Sequence, residues 1–367
     1  MKPTRVALIG AGNISDQYLT NLGRYPDIEV AAVTDRDPEV ARRQAEKYGV
    51  AASGTPDLAL NDPSIELIFN LTIPSVHAEV SAAALRAGKH VWSEKPLALD
   101  RESAQELLDL AASRGLRLGC APDTVLCPGI QGSLAALGEL ASQAGETPFR
   151  ARMLFQYHGP DAWHPNPEFL FQPGAGPLLD YGPYYLTTAV LALGPVKRVA
   201  GSVGVRPRLR RQVEAGPLAG TVFDVNVPTT VVALLEHQSG AFTDITLSFD
   251  AHTLREEVEF QTASATVIAT DPNRCDGVVR TMFRKEEVSS RNTDDPVWGR
   301  GVGAVDMVRS IAANRPHRAS GELAYHVLDV MLSIADSIET GESVTLTSTT
   351  APVDLIPAGW RPDVAWV

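Results

Sequence analysis

A pair of glycines set directly after a short apolar run limits this chain more than any other feature. Arg5 to Ile9 reads as a strand, and Gly10-Ala11-Gly12-Asn13-Ile14-Ser15 follows at once and leads into a helix-like segment. In that context Gly10 permits a tight turn, and Gly12 lets the backbone approach a pyrophosphate held at the helix N-terminus. Gly10, Gly12, Asn13 and Ile14 are therefore expected to line a dinucleotide. Ser15 replaces the third glycine, a position that serves helix-strand packing and tolerates a small residue. Asp35 ends the second expected strand, where a carboxylate accepts from ribose hydroxyls and repels a 2′-phosphate, which favours NAD. Its neighbour Arg36 either stacks on adenine or pairs with that phosphate, so NADP stays open. An ordinary turn in Asp35-Arg36-Asp37-Pro38 would explain the same aspartate.

The organisation around the motif supports it. Expected strands at Arg5–Ile9, Ile28–Thr34, Leu67–Leu71, His90–Ser93 and Arg117–Ala121 alternate with helical stretches at Pro38–Tyr48, Val76–Ala87 and Arg101–Arg114. That rhythm calls for βαβ units, a doubly wound parallel sheet of the Rossmann type over residues 1–121. From residue 122 to 367 the pattern becomes α+β. After a helix near Gly129–Gln143 come strand-like runs at Phe149–Tyr157, Val196–Val205, Pro228–Glu236, Ala241–Phe249, Glu257–Thr262, Thr266–Thr270 and Val278–Arg284. These read as a large, open, mostly antiparallel sheet, with Gln238-Ser239-Gly240 as a hairpin turn. Helices return at Tyr181–Leu193, Gly303–Ala313 and Glu322–Thr340. Gly159–Gly176, rich in proline and aromatic residues, suits neither a strand nor a linker and is a candidate active-site loop.

Bulk composition narrows the partners. A formal charge of -12 argues against nucleic acid or an anionic membrane, both of which select clustered cations. Arg208, Arg210 and Arg211 form a tight basic cluster that reads as a solvated loop. Cys120, Cys127 and Cys275 are too few and too irregular for a disulfide framework or a thiolate metal site, which points to a reducing compartment. With no signal-like start and no apolar run of about 18 residues, the expected location is cytoplasmic. The histidines show no metal-ligand spacing, and no metal is expected.

Further motifs accumulate: Thr72-Ile73-Pro74-Ser75-Val76-His77, then Gly88-Lys89-His90-Val91-Trp92-Ser93-Glu94-Lys95-Pro96, then Gly174 to Gly194, then Arg315-Pro316-His317-Arg318. Together with the glycine turn they resemble the glucose-fructose oxidoreductase, inositol dehydrogenase and MocA (Gfo/Idh/MocA) family over nearly the whole chain. The resemblance implies hydride transfer between nicotinamide and a carbinol carbon of a sugar or cyclitol. It also implies homodimers or homotetramers formed through the flat sheet. Leu71, Thr72, Ile73, Pro74, His77, Glu94 and Lys95 would then lie along the cofactor. For His77 a surface histidine at a helix start is the bland alternative.

Lys95 is the catalytic candidate the resemblance singles out, since an ammonium beside the reacting oxygen stabilises a developing alkoxide. Family dehydrogenases pair it with Asp and His one helical turn apart; here Asp180 holds the first position and Tyr184 stands where His is expected. Two readings stay open. Tyr184 is the acid/base, its phenol lowered by a nearby ammonium, or it positions substrate while His164 or His158 takes the proton. Tyr157, His158, Trp163 and His164 are expected to meet the substrate, Trp163 by stacking on a ring, although a loop covering a sheet edge explains the same residues. Transient redox that enables elimination or epimerisation, and a dinucleotide-sensing regulator without turnover, are the competing functions.

Overall fold

Parallel strands covered on both faces by helices read as unbroken apolar runs, because neither face meets water. The computed structural model of the chain, which describes residues 2–366, begins with this arrangement. β1 (Thr4–Ile9), β2 (Ile28–Thr34), β3 (Ala52–Gly54), β4 (Leu67–Asn70), β5 (His90–Ser93) and β6 (Leu118–Cys120) form one parallel sheet in the order β3-β2-β1-β4-β5-β6. Val6, Ala7, Leu8, Leu67, Ile68, Phe69 and Val91 are wholly buried in it. The connecting helices are α1 (Ser15–Leu22), α2 (Pro38–Tyr48), α3 (Pro56–Asn61), α4 (His77–Arg86) and α5 (Arg101–Ser113). Their starts follow local chemistry: Asp37 caps α2 by accepting from the Glu39 N–H at 3.0 Å, and Asp100 caps α5 by accepting from the Ser103 N–H at 2.7 Å. The strand order reverses between β1 and β4, which opens a crevice at their C-terminal ends. All five expected strands are present; β3, three residues long, is too short to show a period.

The middle of the chain builds a second sheet. α6 (Pro128–Ala144), β7 (Arg150–Gln156), α7 (Gly176–Asp180) and α8 (Gly182–Leu193) come first. β8 (Val196–Val205), β9 (Arg210–Gln212), β10 (Val222–Asp224), β11 (Thr230–His237), β12 (Phe242–Ser248), β13 (Arg255–Gln261), β14 (Ala265–Ala269), β15 (Val278–Phe283) and β16 (Glu286–Asn292) follow. After α9 (Val302–Ala312) and α10 (Gly321–Thr340), the short β17 (Val344–Thr345) completes a nine-stranded sheet of order β16-β15-β14-β13-β7-β12-β11-β8-β17. Its pairings are antiparallel except β7 with β12. Alternation sets the faces: Val231, Ala233, Leu235, Ile245 and Leu247 are buried, while Val232 and Leu234 between them are exposed. The expected hairpin turn is present, closed by the Gly240 N–H to the His237 carbonyl at 3.0 Å.

The chain packs into two units. One holds the residues up to Pro128 together with Asp294–Leu328 and the segment from Val353; the other holds Gly129–Thr293 and Asp329–Pro352. A linear division between residues 121 and 122 places both returning segments in the second domain, whereas here they join the first. The reason is packing that no local pattern announces. The fully buried indole of Trp92 fits against Gly119 and Gly303, where an added Cβ would collide with it. Arg309 pairs with Asp27 at 2.6 Å and donates to the carbonyls of Arg361 and Val364 at 2.9 and 2.6 Å.

Two composition-based expectations change. Arg211 is buried rather than solvated, ion-paired to Asp161 and Asp250 at 2.6 Å each, because it anchors the Gly159–Gly176 loop. Cys120 is a free buried thiol, but Cys127 and Cys275 are each disulfide-bonded, which removes the ground for inferring a reducing compartment. Among the described residues no helix is long and apolar enough to cross a membrane.

Candidate functional site

The glycine turn is built for close approach. Gly10 has φ +105°, and a Cβ there would lie 2.6 Å from the carbonyl carbon and oxygen of Leu71, so any side chain is excluded. Its N–H donates to the Thr34 carbonyl at 2.8 Å, which binds the turn to β2. The Asp35 carboxylate spans the same junction, accepting from the Ala11 N–H at 2.8 Å and the Asp37 N–H at 3.0 Å. A Cβ on Gly12 would meet nothing within 4 Å, and Gly12 and Asn13 are exposed at the start of α1 with Ile14 half-buried behind them. This open backbone at a helix N-terminus fits the phosphates of a dinucleotide. Ser15 does more than pack: its Oγ donates to the Gly12 carbonyl at 2.6 Å and accepts from Gln44 Nε2 at 2.9 Å. Arg36 is exposed beside Asp35.

The turn after β4 is organised by Asn70, which no motif marked. Its Nδ2 donates to the His77 carbonyl and to Ser81 Oγ, each at 2.9 Å, and its Oδ1 accepts from Thr72 Oγ1 at 2.6 Å. Leu71 is buried behind this turn, whereas Ile73 is exposed and Thr72 and Pro74 are half-buried. His77 begins α4 directly after this turn. Its ring is fully buried, with Nδ1 2.7 Å from the Pro96 carbonyl and Nε2 3.0 Å from the Thr72 carbonyl, and the neutral ring donates its one N–H to one of the two. Burial holds this imidazole below the usual histidine range. It sits between the Thr72 turn and the Lys95-Pro96 turn, whose peptide bond is cis.

Glu94 likewise works within the protein. It is 6% exposed; Oε1 accepts from Tyr18 Oη at 2.8 Å and Oε2 from the Lys95 N–H at 3.1 Å. Both oxygens accept from protein donors, so Glu94 braces the Lys95 backbone from within the protein. Lys95 itself is half-buried at the end of β5. The signal that would have found Tyr18 is its place on the buried Ser15, Tyr18, Leu19, Leu22 stripe of α1.

In the second unit the substrate candidates gather around Asp180. Tyr181 stacks on Phe155 with ring centroids 3.6 Å apart and lies edge-on to Tyr157 at 6.0 Å. Tyr157 is 8% exposed and its phenol oxygen has no hydrogen-bond partner among the described residues. Burial, then the Asp180 charge, pushes that phenol well up. Trp163 is exposed and edge-on to His164, whose Nδ1 accepts from the Asn166 N–H at 3.1 Å. Burial lowers the His164 imidazole, opposed in part by the nearby Asp180 charge. His158 is exposed at the loop start, and its carbonyl accepts from Arg211 at 2.9 Å. Asp180 and Tyr184 do not share one helix: Asp180 ends α7, and Tyr184 lies in the first turn of α8 after Pro183, which has no N–H to continue the ladder. Tyr184 is buried, 4% exposed.

Known proteins match this arrangement. Residues 4–121 match the family model described as an oxidoreductase family with an NAD-binding Rossmann fold, and residues 140–268 match the GFO/IDH/MocA C-terminal domain. The chain is 33% identical over 221 residues to dTDP-3,4-didehydro-2,6-dideoxy-alpha-D-glucose 3-reductase of Streptomyces antibioticus, a stretch covering 58% of this chain and 63% of that enzyme. It is 28% identical to D-glucoside 3-dehydrogenase of Escherichia coli strain K12 across 94% of this chain and 98% of that one. In fold it resembles levoglucosan dehydrogenase solved with NADH and L-sorbose, with a TM-score of 0.80, 20% identity, and coverage of 95% of this chain and 100% of the other. On these matches the chain belongs to the Gfo/Idh/MocA oxidoreductase family, with an N-terminal NAD-binding Rossmann fold.

Proposed function

We propose that the protein is an NAD-dependent dehydrogenase or reductase acting on a carbinol or carbonyl carbon of a sugar, cyclitol or related polyol. The observation that carries the cofactor choice is the Asp35 carboxylate bound to the glycine turn at Ala11, a fixed negative charge where a 2′-phosphate would have to sit. The two relatives named above act on sugar derivatives, and the levoglucosan dehydrogenase structure contains NADH, which supports the same reading.

The backbone of Gly10, Gly12, Asn13 and Ile14 holds the phosphates, Asp35 the ribose, and the Thr72–Pro74 backbone the nicotinamide half. When bound, the nicotinamide supplies the hydride acceptor or donor. The Lys95 ammonium stabilises negative charge on the substrate oxygen, which favours alkoxide formation in one direction and polarises the carbonyl in the other. Asp180 orients the reacting hydroxyl, Tyr157 stands in the aromatic cluster beside it, and Trp163 offers an exposed ring face. Proton transfer is assigned to Tyr184, with His164 as the competing base because burial keeps it neutral near pH 7. The open sheet face, where Val232 and Leu234 stand exposed near the Arg150–Asp244 pair, is proposed as the contact between copies.

Fluorescence titration with NADH and NADPH, then a sugar and cyclitol panel followed at 340 nm, tests the reading. NADH should bind at least about tenfold tighter than NADPH, a difference near 1.4 kcal/mol. Lys95→Ala should keep NADH binding and lose turnover on the order of 100-fold. No dinucleotide binding, or full activity in Lys95→Ala, would overturn it.

A further inference from the structure

Tyr18 lies on α1, one turn beyond the glycine motif, and its side chain points away from the turn into the core. It is fully buried and its ring is set edge-on against Phe69 at 5.7 Å. Its hydroxyl donates to Glu94 Oε1 at 2.8 Å and accepts from Trp92 Nε1 at 3.3 Å. The other carboxylate oxygen of Glu94 accepts from the backbone N–H of Lys95 at 3.1 Å, and the Glu94 N–H donates to the Asn70 carbonyl at 2.9 Å. A continuous set of bonds therefore runs from α1 through a phenol and a buried carboxylate to the backbone of Lys95.

We propose that Tyr18 is a positioning residue for Lys95, coupling the helix that would carry the dinucleotide phosphates to the turn that carries the lysine; this rests on the role proposed above for Lys95. The phenol is suited to a fixed donor role. Burial, then the Glu94 and Asp123 carboxylates, pushes its ionisation far up, so it never competes with Glu94 for a proton. Glu94 has few other ways to be satisfied: at 6% exposure, losing the phenol leaves Oε1 without that donor in a site shut off from water. The carboxylate then relaxes toward another donor, and the Lys95 N–H, held by its second oxygen, moves with it. A packing role alone would be served equally by phenylalanine, because the ring contact with Phe69 does not involve the hydroxyl.

The test is Tyr18→Phe in the intact chain with NADH bound, with Glu94→Gln and the double variant beside it. Folding is checked by thermal melting, and NADH affinity by fluorescence. The expected result for Tyr18→Phe is a kcat lowered tenfold or more, with KM and the NADH Kd within threefold of wild type. Tyr18→Phe should lower kcat little further in the Glu94→Gln background. Because the substrate is unidentified, a second readout needs none: acetylation of Lys95 by acetic anhydride, followed by mass spectrometry and normalised to the exposed Lys285. Tyr18→Phe should change the relative rate at Lys95 at least threefold. An unchanged Lys95 rate, an unchanged kcat, or a loss confined to NADH affinity overturns the proposal. If wild type turns over no substrate, the dehydrogenase reading fails and the acetylation rate alone decides the role of Tyr18.

Discussion

Asp35 and Ala11, 24 residues apart in sequence, are joined by a 2.8 Å hydrogen bond from the backbone N–H of the glycine turn to the carboxylate at the end of β2. That bond fixes where the negative charge stands. In Asp35→Asn the amide oxygen still accepts from Ala11, so the turn keeps its shape while the charge is lost. The preference for NADH over NADPH should then narrow by about tenfold, equivalent to about 1.4 kcal/mol, mostly through better NADPH binding. Parallel titrations with the two cofactors measure it; an unchanged ratio would move the discrimination to Arg36.

The choice between Tyr184 and His164 as the proton carrier is open to a direct experiment. Tyr184→Phe should lower kcat by 100-fold or so if the phenol moves the proton, because general acid-base catalysis contributes about 10²–10⁴. His164→Gln should then leave kcat within a few-fold and raise KM. The reversed pattern, with the acidic limb of the kcat profile lost in His164→Gln, assigns the proton to the loop. That limb should lie below the ordinary histidine value near 6.5, since burial lowers the His164 imidazole and the nearby Asp180 charge only partly opposes it.

Arg309 and Asp27 form a buried pair that no local pattern foretells, 5% and 4% exposed and 2.6 Å apart. Arg309→Met leaves the Asp27 charge buried without its partner and should cost roughly 3–5 kcal/mol of stability. The same arginine also holds the Arg361 and Val364 carbonyls and lies over the Trp360 ring, centred 4.6 Å away. Amide exchange should therefore rise in the segment from Val353 before it rises in β1. Adding Asp27→Leu to Arg309→Met should recover part of the loss in urea melts.

How much of this was legible beforehand follows from the range of each interaction. The glycine turn, Asp35 and most strands of both sheets rest on local periodicity and turn chemistry, and their observed ranges fall within a few residues of those expected. β16 carries no periodic signature, because all seven of its residues are exposed and no buried alternation marks it. The spacing of Asp180 and Tyr184 suggests one helical face, but a new helix starts at Gly182 between them. His77 and Glu94 sit in motif positions, yet their partners, Pro96 and Tyr18, are 19 and 76 residues away. The same limit hid the return of α9 to the first unit, which depends on glycines at positions 119 and 303 making room for Trp92.

Asp123 gives a pH test of that packing. Its Oδ2 accepts from the N–H groups of Gly301 and Gly303 at 2.6 and 3.1 Å, while Oδ1 is buried without a hydrogen-bond partner among the described residues. Burial raises its pKa from 3.8 to about 6. A raised carboxyl pKa means the folded state binds the proton more readily than the unfolded chain, so this group stabilises the fold progressively as pH falls from about 6 toward 3.8. His77, His237 and His317 act in the opposite sense. Burial keeps their rings below the ordinary 6.5, so the unfolded chain takes up protons first and stability drops as pH falls through that value. Asp123→Asn removes the carboxyl contribution and leaves the histidines. Relative to wild type it should gain stability at pH 8 and lose that advantage by pH 4.5, a relative change on the order of 2 kcal/mol. Urea melts at pH 8, 6 and 4.5 measure the difference, and parallel profiles for the two proteins would show that Asp123 does not titrate in this window.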